Sequence, residues 1–211
     1  MRSDKEMLTL YAITNRKDES REEFLDSIKK ALRGGVTILQ LREKNITADK
    51  LIEEAQELKQ LCHKYNVPLI INDDVDIALK CGADGVHVGA DDMPVSEIRR
   101  RAGQNFIIGA TAKTVEQALK AEKEGADYLG AGAVFASPTK TDAKRITKEQ
   151  LIEITKAVSI PVVAIGGIDA DNIVELKDTG ISGAAVISAL FSAQDVEETA
   201  ALLKQRVKSI I

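Results

Sequence analysis

Two rhythms of apolar and polar positions alternate along the chain. Stretches such as "TADKLIEEAQELKQLCHKY" (47–65) and "TVEQALKAEKE" (114–124) place apolar residues at helical spacing. Between them lie short runs rich in β-branched and small residues. "LTLYAIT" (8–14), "VPLIIND" (67–73), "FIIGAT" (106–111) and "IPVVAIGG" (160–167) predict strands. Four further segments share one plan: "RGGVTILQL" (33–41), "CGADGVHVG" (81–89), "EGADYLGAG" (124–132) and "TGISGAAVIS" (179–188). Each opens on a helix-ending glycine suited to the left-handed position and runs through a short link into a strand.

The pattern predicts eight strands alternating with about eight helices, which means parallel strands joined by crossover helices. Eight such units in 211 residues predict a closed (β/α)8 TIM barrel, one α/β domain spanning 1–211. An open doubly wound sheet is the rival. Its GxGxxG phosphate fingerprint is absent after the first strand, which runs into "TNRKDESREE". Low-complexity stretches and linkers are absent too.

Composition sharpens this picture. Hydrophobic residues make up 44% of the chain and aromatics only 3%, so the core is aliphatic, as parallel strands under helices require. A net charge of −4, from 29 basic and 33 acidic residues, gives no case for a nucleic-acid or anionic-membrane partner. Cys62 and Cys81 form no CxxC and read as buried reduced thiols. With no apolar run of signal-peptide or membrane-span length, they predict a soluble cytoplasmic protein. Small-molecule substrates and, at most, a second copy of the chain (a homodimer) are the expected partners.

In a barrel of this kind, chemistry sits at the C-terminal ends of the strands. Strand two gives "VTILQLREK" (36–44), where Gln40, Arg42 and Lys44 share one parity and form a row suited to an anionic ligand. Strands three and four end in "IINDDV" (70–75) and "VHVGADDMP" (86–94). One carboxylate of each pair can cap a helix, but two acidic clusters beside a basic row suit Mg²⁺ with phosphate. Asn72 can add an amide. His87 reads as an interior histidine with satisfied hydrogen bonds. His63 lies on a helix, so zinc is not expected.

Gly166 and Gly167, after strand seven, let the backbone approach an anion, and Ser188 adds a hydroxyl after strand eight. The loop "SPTK" (137–140) supplies Ser137, Thr139 and Lys140 between the two phosphate regions.

"QLREK" (40–44), "INDD" (71–74), "GVHVGADD" (85–92), "SPTK" (137–140), "AIGGI" (164–168) and "VIS" (186–188) together resemble the thiamine phosphate synthase family across nearly the whole chain. The resemblance implies a Mg²⁺-dependent transferase joining a hydroxymethylpyrimidine diphosphate to a thiazole phosphate, plain or carboxylated. The products would be thiamine phosphate and diphosphate. It implies a pyrimidine diphosphate site at Gln40, Leu41, Arg42, Glu43, Lys44 and Asn72, with Asp73 and Asp92 as Mg²⁺ ligands. Thr111 stands where the family usually has serine, and Lys140 matches a diphosphate-binding lysine. Arg42, Lys44 and Lys140 carry the implied catalytic role. Ser137, Pro138, Thr139, Gly167, Ile187 and Ser188 match the thiazole phosphate site. Pro138 departs from the family's Pro-Thr-x-Thr-Lys loop and removes one backbone donor. Two alternatives remain: a thiazole tautomerase-like isomerase, against which Lys113 stands where a histidine would be sought, and a non-catalytic thiazole phosphate-binding relative.

Overall fold

The computed structural model describes residues 4–16, 19–43, 46–136 and 145–211. A short helix, α1 (Asp4–Met7), leads into β1 (Leu10–Ile13), α2 (Arg21–Arg33), β2 (Ile38–Leu41) and α3 (Ala48–Lys64). There follow β3 (Leu69–Asn72), α4 (Val75–Cys81), β4 (Gly85–Val88), α5 (Val95–Ala102) and β5 (Ile107–Ala112). The chain continues through α6 (Val115–Glu124), β6 (Tyr128–Gly132), α7 (Lys148–Ala157) and β7 (Val162–Ile165). It ends with β8 (Gly183–Val186), α8 (Ser188–Phe191) and α9 (Val196–Lys208). The eight strands pair in chain order, all parallel, and β8 closes on β1 as a barrel.

Strand alternation divides the core into two. Leu39, Leu41, Ile71, Val86 and Ile108 point outward and pack under the helices. Leu8, Tyr11, Ile38, Ile70, Tyr128 and Val163 point inward and fill the barrel, with Met7 and Leu8 closing its N-terminal end. Local sequence starts the helices cleanly. Ser20 accepts from the Glu23 N–H at 3.2 Å while the Glu23 carboxylate accepts from the Ser20 N–H at 2.9 Å, a reciprocal cap of α2. Thr147 and Gln150 repeat it on α7.

The one expected crossover helix that does not form lies between β7 and β8. A 3-10 turn, Ile173–Leu176, takes its place. Asp169 accepts from the N–H groups of Asp171 and Asn172 at 2.9 Å, and Asp178 turns the chain at φ 65°. These local bonds fold the segment into tight turns on both sides of the 3-10 residues. None of the described helices is long and apolar enough to cross a membrane.

The fourfold sequence pattern has a structural meaning at the floor of the barrel. Thr37, Asp84, Asp127 and Ser182 each stand immediately before an even-numbered strand. Thr37 Oγ1 accepts from the Leu10 N–H at 2.9 Å, Asp84 Oδ2 from Leu69 at 2.8 Å and Asp127 Oδ2 from Ile108 at 2.7 Å. Each pins the start of the preceding odd-numbered strand, whose N–H would otherwise lack a partner. Arg99 reinforces the third pin, donating to Asp127 at 2.7 Å and to the Phe106 carbonyl at 2.7 Å. Ser182 is buried and makes its own bond through the backbone, donating to the Val162 carbonyl at 2.8 Å.

Thr37 is also buried, and its hydroxyl donates back to the Leu10 carbonyl at 3.0 Å. Thr37→Val keeps the shape and removes both bonds. It is expected to cost about 1–3 kcal/mol, lowering Tm by about 2–4 °C per kcal/mol in a thermal melt. An unchanged Tm would show that the hydroxyl contributes nothing to closure.

Candidate active site

At the C-terminal end of the barrel the inward-facing positions open into a cavity of about 280 Å³. β2 delivers Gln40 and Arg42 to it, β3 Asn72 and Asp73, β4 His87, and β5 Thr111 and Lys113. Gly166 and Ile187, just past β7 and β8, complete the wall. Parity decides this set: on β2, Gln40 and Arg42 face in while Leu41 joins the core beneath the helices.

The cavity floor is a continuous hydrogen-bonded line across the barrel. Gln40 Nε2 donates to the Tyr11 hydroxyl at 2.7 Å, which meets the Tyr128 hydroxyl at 2.8 Å. The Tyr128 hydroxyl meets His87 Nδ1 at 3.1 Å, and His87 Nε2 meets Thr111 Oγ1 at 3.1 Å. The two tyrosine rings pack edge to face, 5.8 Å apart. Burial pushes both phenols above their ordinary pKa, so both stay neutral at physiological pH.

The two aspartates of β3 separate as the capping argument requires. Asp74 caps α4, accepting from the Ile77 N–H at 2.9 Å. Asp73 lines the cavity in a left-handed conformation, φ 63°, and accepts from Asn72 Nδ2 at 2.6 Å. Such a backbone is costly for a non-glycine residue and is often found at sites that must aim a side chain. Asp92 accepts from the Gly89 N–H at 2.7 Å and also lines the cavity. Among the described residues no group of three or more metal-binding side chains gathers. The two carboxylates and the Asn72 amide are hard oxygen donors, which fit Mg²⁺ when substrate phosphate and water supply the rest.

Glu43 turns away from the cavity. Its carboxylate accepts from Thr14 Oγ1 at 3.4 Å and lies near Glu54. Burial first, then the Glu54 charge, raises its pKa. Arg16 holds Glu54 at 2.9 Å, while the second oxygen of Glu54 has no hydrogen-bond partner among the described residues. Thr14 also accepts from the Arg42 N–H at 2.9 Å, so this buried group braces the segment that carries Arg42.

Gly167 and Ser188 each lie one residue beyond the cavity wall. Gly166 and Gly167 have φ 101° and 65°. A Cβ at Gly166 would overlap Ala133, and one at Gly167 would overlap the Ala136 carbonyl, so close packing of the β6 loop alone requires both glycines. Lys44, Ser137, Pro138, Thr139 and Lys140 lie outside the described residues.

Three cavity residues escape a reading based on strand ends alone. Lys113 shares the parity of Thr111, and that alternation was the available signal. Tyr11 and Tyr128 sit inside strands with polar tips, and nothing local shows that they meet.

The comparisons agree with this fold. A family model described as TMP-TENI, thiamine monophosphate synthase, matches residues 10–190. A thiamine-phosphate synthase of Ruminiclostridium cellulolyticum is 48% identical over 192 residues, covering 91% of each chain. One from Methanobrevibacter smithii is 48% identical over 188 residues, covering 89% of this chain and 90% of its own. The solved thiamine phosphate pyrophosphorylase of Pyrococcus furiosus superposes with a TM-score of 0.90 at 42% identity, covering 98% of both chains. A 3-hexulose-6-phosphate synthase, at 19% identity and TM-score 0.73, shares the fold alone. The chain belongs to the thiamine monophosphate synthase family and is a transferase of thiamine biosynthesis.

Proposed function

We propose that this cavity joins a hydroxymethylpyrimidine diphosphate to a thiazole phosphate by a dissociative substitution. The observation that carries the reading is the composition of one wall. Arg42, Lys113, Asp73 and Asp92 line a single cavity above a floor of neutral hydroxyls. Cations there neutralise a diphosphate leaving group, and two carboxylates hold a hard metal ion. Among the described residues no activated nucleophile accompanies them. Burial pushes the Cys62 thiol up to about 12 and raises that of Cys81, and neither lines the cavity.

In the proposed step the pyrimidine methylene carbon–oxygen bond breaks, and its electron pair leaves with the diphosphate. The thiazole nitrogen lone pair then forms the new C–N bond to the ring-stabilised cation. No general base is required, so rate comes from charge stabilisation and alignment. Arg42 and Lys113 hold diphosphate, with Lys44 and Lys140 added by the family resemblance. Gln40, Arg42, Asn72 and Thr111, with Lys44 added by the family resemblance, receive the pyrimidine diphosphate, whereas Leu41 and Glu43 face away from it. Ser137, Pro138, Thr139, Gly167, Ile187 and Ser188 receive the thiazole phosphate. Mg²⁺ held by Asp73 and Asp92 would supply further charge neutralisation. The same chemistry suits a cytoplasmic enzyme acting on two small molecules. Lys113 on the cavity wall, where an isomerase of this type would be expected to place a histidine, disfavours the tautomerase reading.

Purified protein incubated with both substrates and Mg²⁺ is expected to form thiamine phosphate, and excess EDTA to abolish it. Asp92→Asn keeps an oxygen for the Gly89 N–H, so Tm should hold. Its kcat is expected to fall about 10²–10³-fold, with the Mg²⁺ titration shifted to higher concentration. Full turnover in EDTA would reduce both carboxylates to structural turns. Arg42→Ala is expected to weaken binding of the pyrimidine diphosphate by about tenfold or more. Thiazole phosphate affinity should stay within about twofold by calorimetry; equal loss of both ligands would remove the two-site division.

A further inference from the structure

We infer that Tyr11, Tyr128 and His87 are positioning residues that form a one-way hydrogen-bond chain beneath the substrate. The chain holds His87 as its Nε2–H tautomer. It thereby presents the Gln40 carbonyl to the cavity as an acceptor and the Thr111 hydroxyl proton as a donor. The bound ligand must then offer an N–H at the Gln40 end and an anionic oxygen at the Thr111 end. An aminopyrimidine diphosphate has both. The ligand's identity rests on the function proposed above, whereas the chain itself does not.

Direction follows from proton counting. Gln40 is 2% exposed, and its amide nitrogen can only donate, which it does to Tyr11. Tyr11 has one proton, which passes to Tyr128 at 2.8 Å. Tyr128 is fully buried and has one proton in turn, and His87 Nδ1 at 3.1 Å accepts it. An accepting Nδ1 puts the ring proton on Nε2, which donates to Thr111 at 3.1 Å. Thr111 lines the cavity, so its own proton is free to meet a ligand.

With the Gln40 amide nitrogen facing Tyr11, the reverse direction fails there. The Tyr11 oxygen would then receive from both Gln40 and Tyr128, and its own proton would be buried with no acceptor. Leaving such a group unsatisfied costs more than a hydrogen bond gains. Neither phenol escapes by ionising, because burial raises both above the usual range.

The barrel is also cut to fit this line. A Cβ at Gly109 would overlap the Tyr128 ring and lie 2.5 Å from His87 Nδ1, and one at Gly130 would lie 3.0 Å from His87 Cε1. Two glycines at inward positions of β5 and β6 therefore clear the space that Tyr128 and His87 occupy. A connected, satisfied network of this kind resists reorientation of any one member.

The chain contains only two histidines, so ¹⁵N labelling of histidine in the intact protein yields two ring spectra, and His63→Gln assigns them. At neutral pH His87 is expected to show a bare Nδ1 and a protonated Nε2. Tyr128→Phe removes the donor to Nδ1, so the ring should become a mixture of tautomers. Affinity for the pyrimidine diphosphate should fall roughly ten- to hundredfold, with thiazole phosphate affinity unchanged. Thr111→Val should reproduce that loss and Thr111→Ser restore the binding. An Nδ1–H ring in the unmodified protein overturns the inference, as does an unchanged ring spectrum in Tyr128→Phe. Equal loss of both ligands would make the tyrosine merely structural. If Tyr128→Phe does not fold, Tyr11→Phe is used. The Tyr128 proton then has only Nδ1 as acceptor, so the Nε2–H ring should persist while pyrimidine diphosphate affinity falls through the released Gln40 amide, and an Nδ1–H ring overturns the inference. If the unmodified protein bound neither ligand yet showed the expected ring, the proposed function would fall and the chain would stand.

Discussion

The hydroxyls of Tyr11 and Tyr128 meet at 2.8 Å inside the barrel, and the molecule divides at that bond. Beneath it the lumen is packed with Leu8, Ile38 and Ile70. Above it polar side chains join the apolar lining and the cavity opens. Two large rings can cross a narrow barrel only if their polar tips find partners and their neighbours shrink. The line from Gln40 to Thr111 satisfies the first condition and the glycines of β5 and β6 the second. Floor and site are therefore one construction.

Closure at the opposite end depends on a different set of polar groups. Thr37, Asp84 and Asp127 tie the starts of odd-numbered strands, so three of the four two-strand units carry a side-chain pin of their own. This separation allows the C-terminal loops to specialise. Asp73 can hold a left-handed backbone, and Gly166 with Gly167 can fold tightly against the β6 loop, while pairing of the strands is maintained from below.

The electrostatics of the cavity rim suit departure of a polyanion better than attack by a base. Arg42 and Lys113 bring positive charge to a chain whose net charge is −4, so the attraction is local and not a property of the whole surface. The half-buried Arg16–Glu54 pair and Glu43 brace the strand end that bears Arg42 from behind. Their arrangement keeps the guanidinium's segment in place without spending its charge on a carboxylate.

Adjacent residues encode periodicity, so the sequence by itself determined the alternation of strands and helices and hence the barrel. Parity along β2 and β5 was equally local, and it separated Gln40 and Arg42 from Leu41. The order and spacing of "QLREK", "INDD" and "AIGGI" carried the family. Capping chemistry already allowed one aspartate of the β3 pair to be a helix start, but not which one; the backbone at Asp73 and the cap at Asp74 decided it. The missing helix after β7 depended on turn bonds among Asp169, Asp171 and Asn172 that override a general rhythm. Contacts across the lumen lay beyond any local signal. Tyr11 and Tyr128 are 117 residues apart, and only closure of eight strands brings their hydroxyls within bonding distance. Which nitrogen of His87 accepts, and which way Thr111 donates, follows from that meeting, because a buried proton must be placed somewhere and only tertiary structure supplies the acceptor.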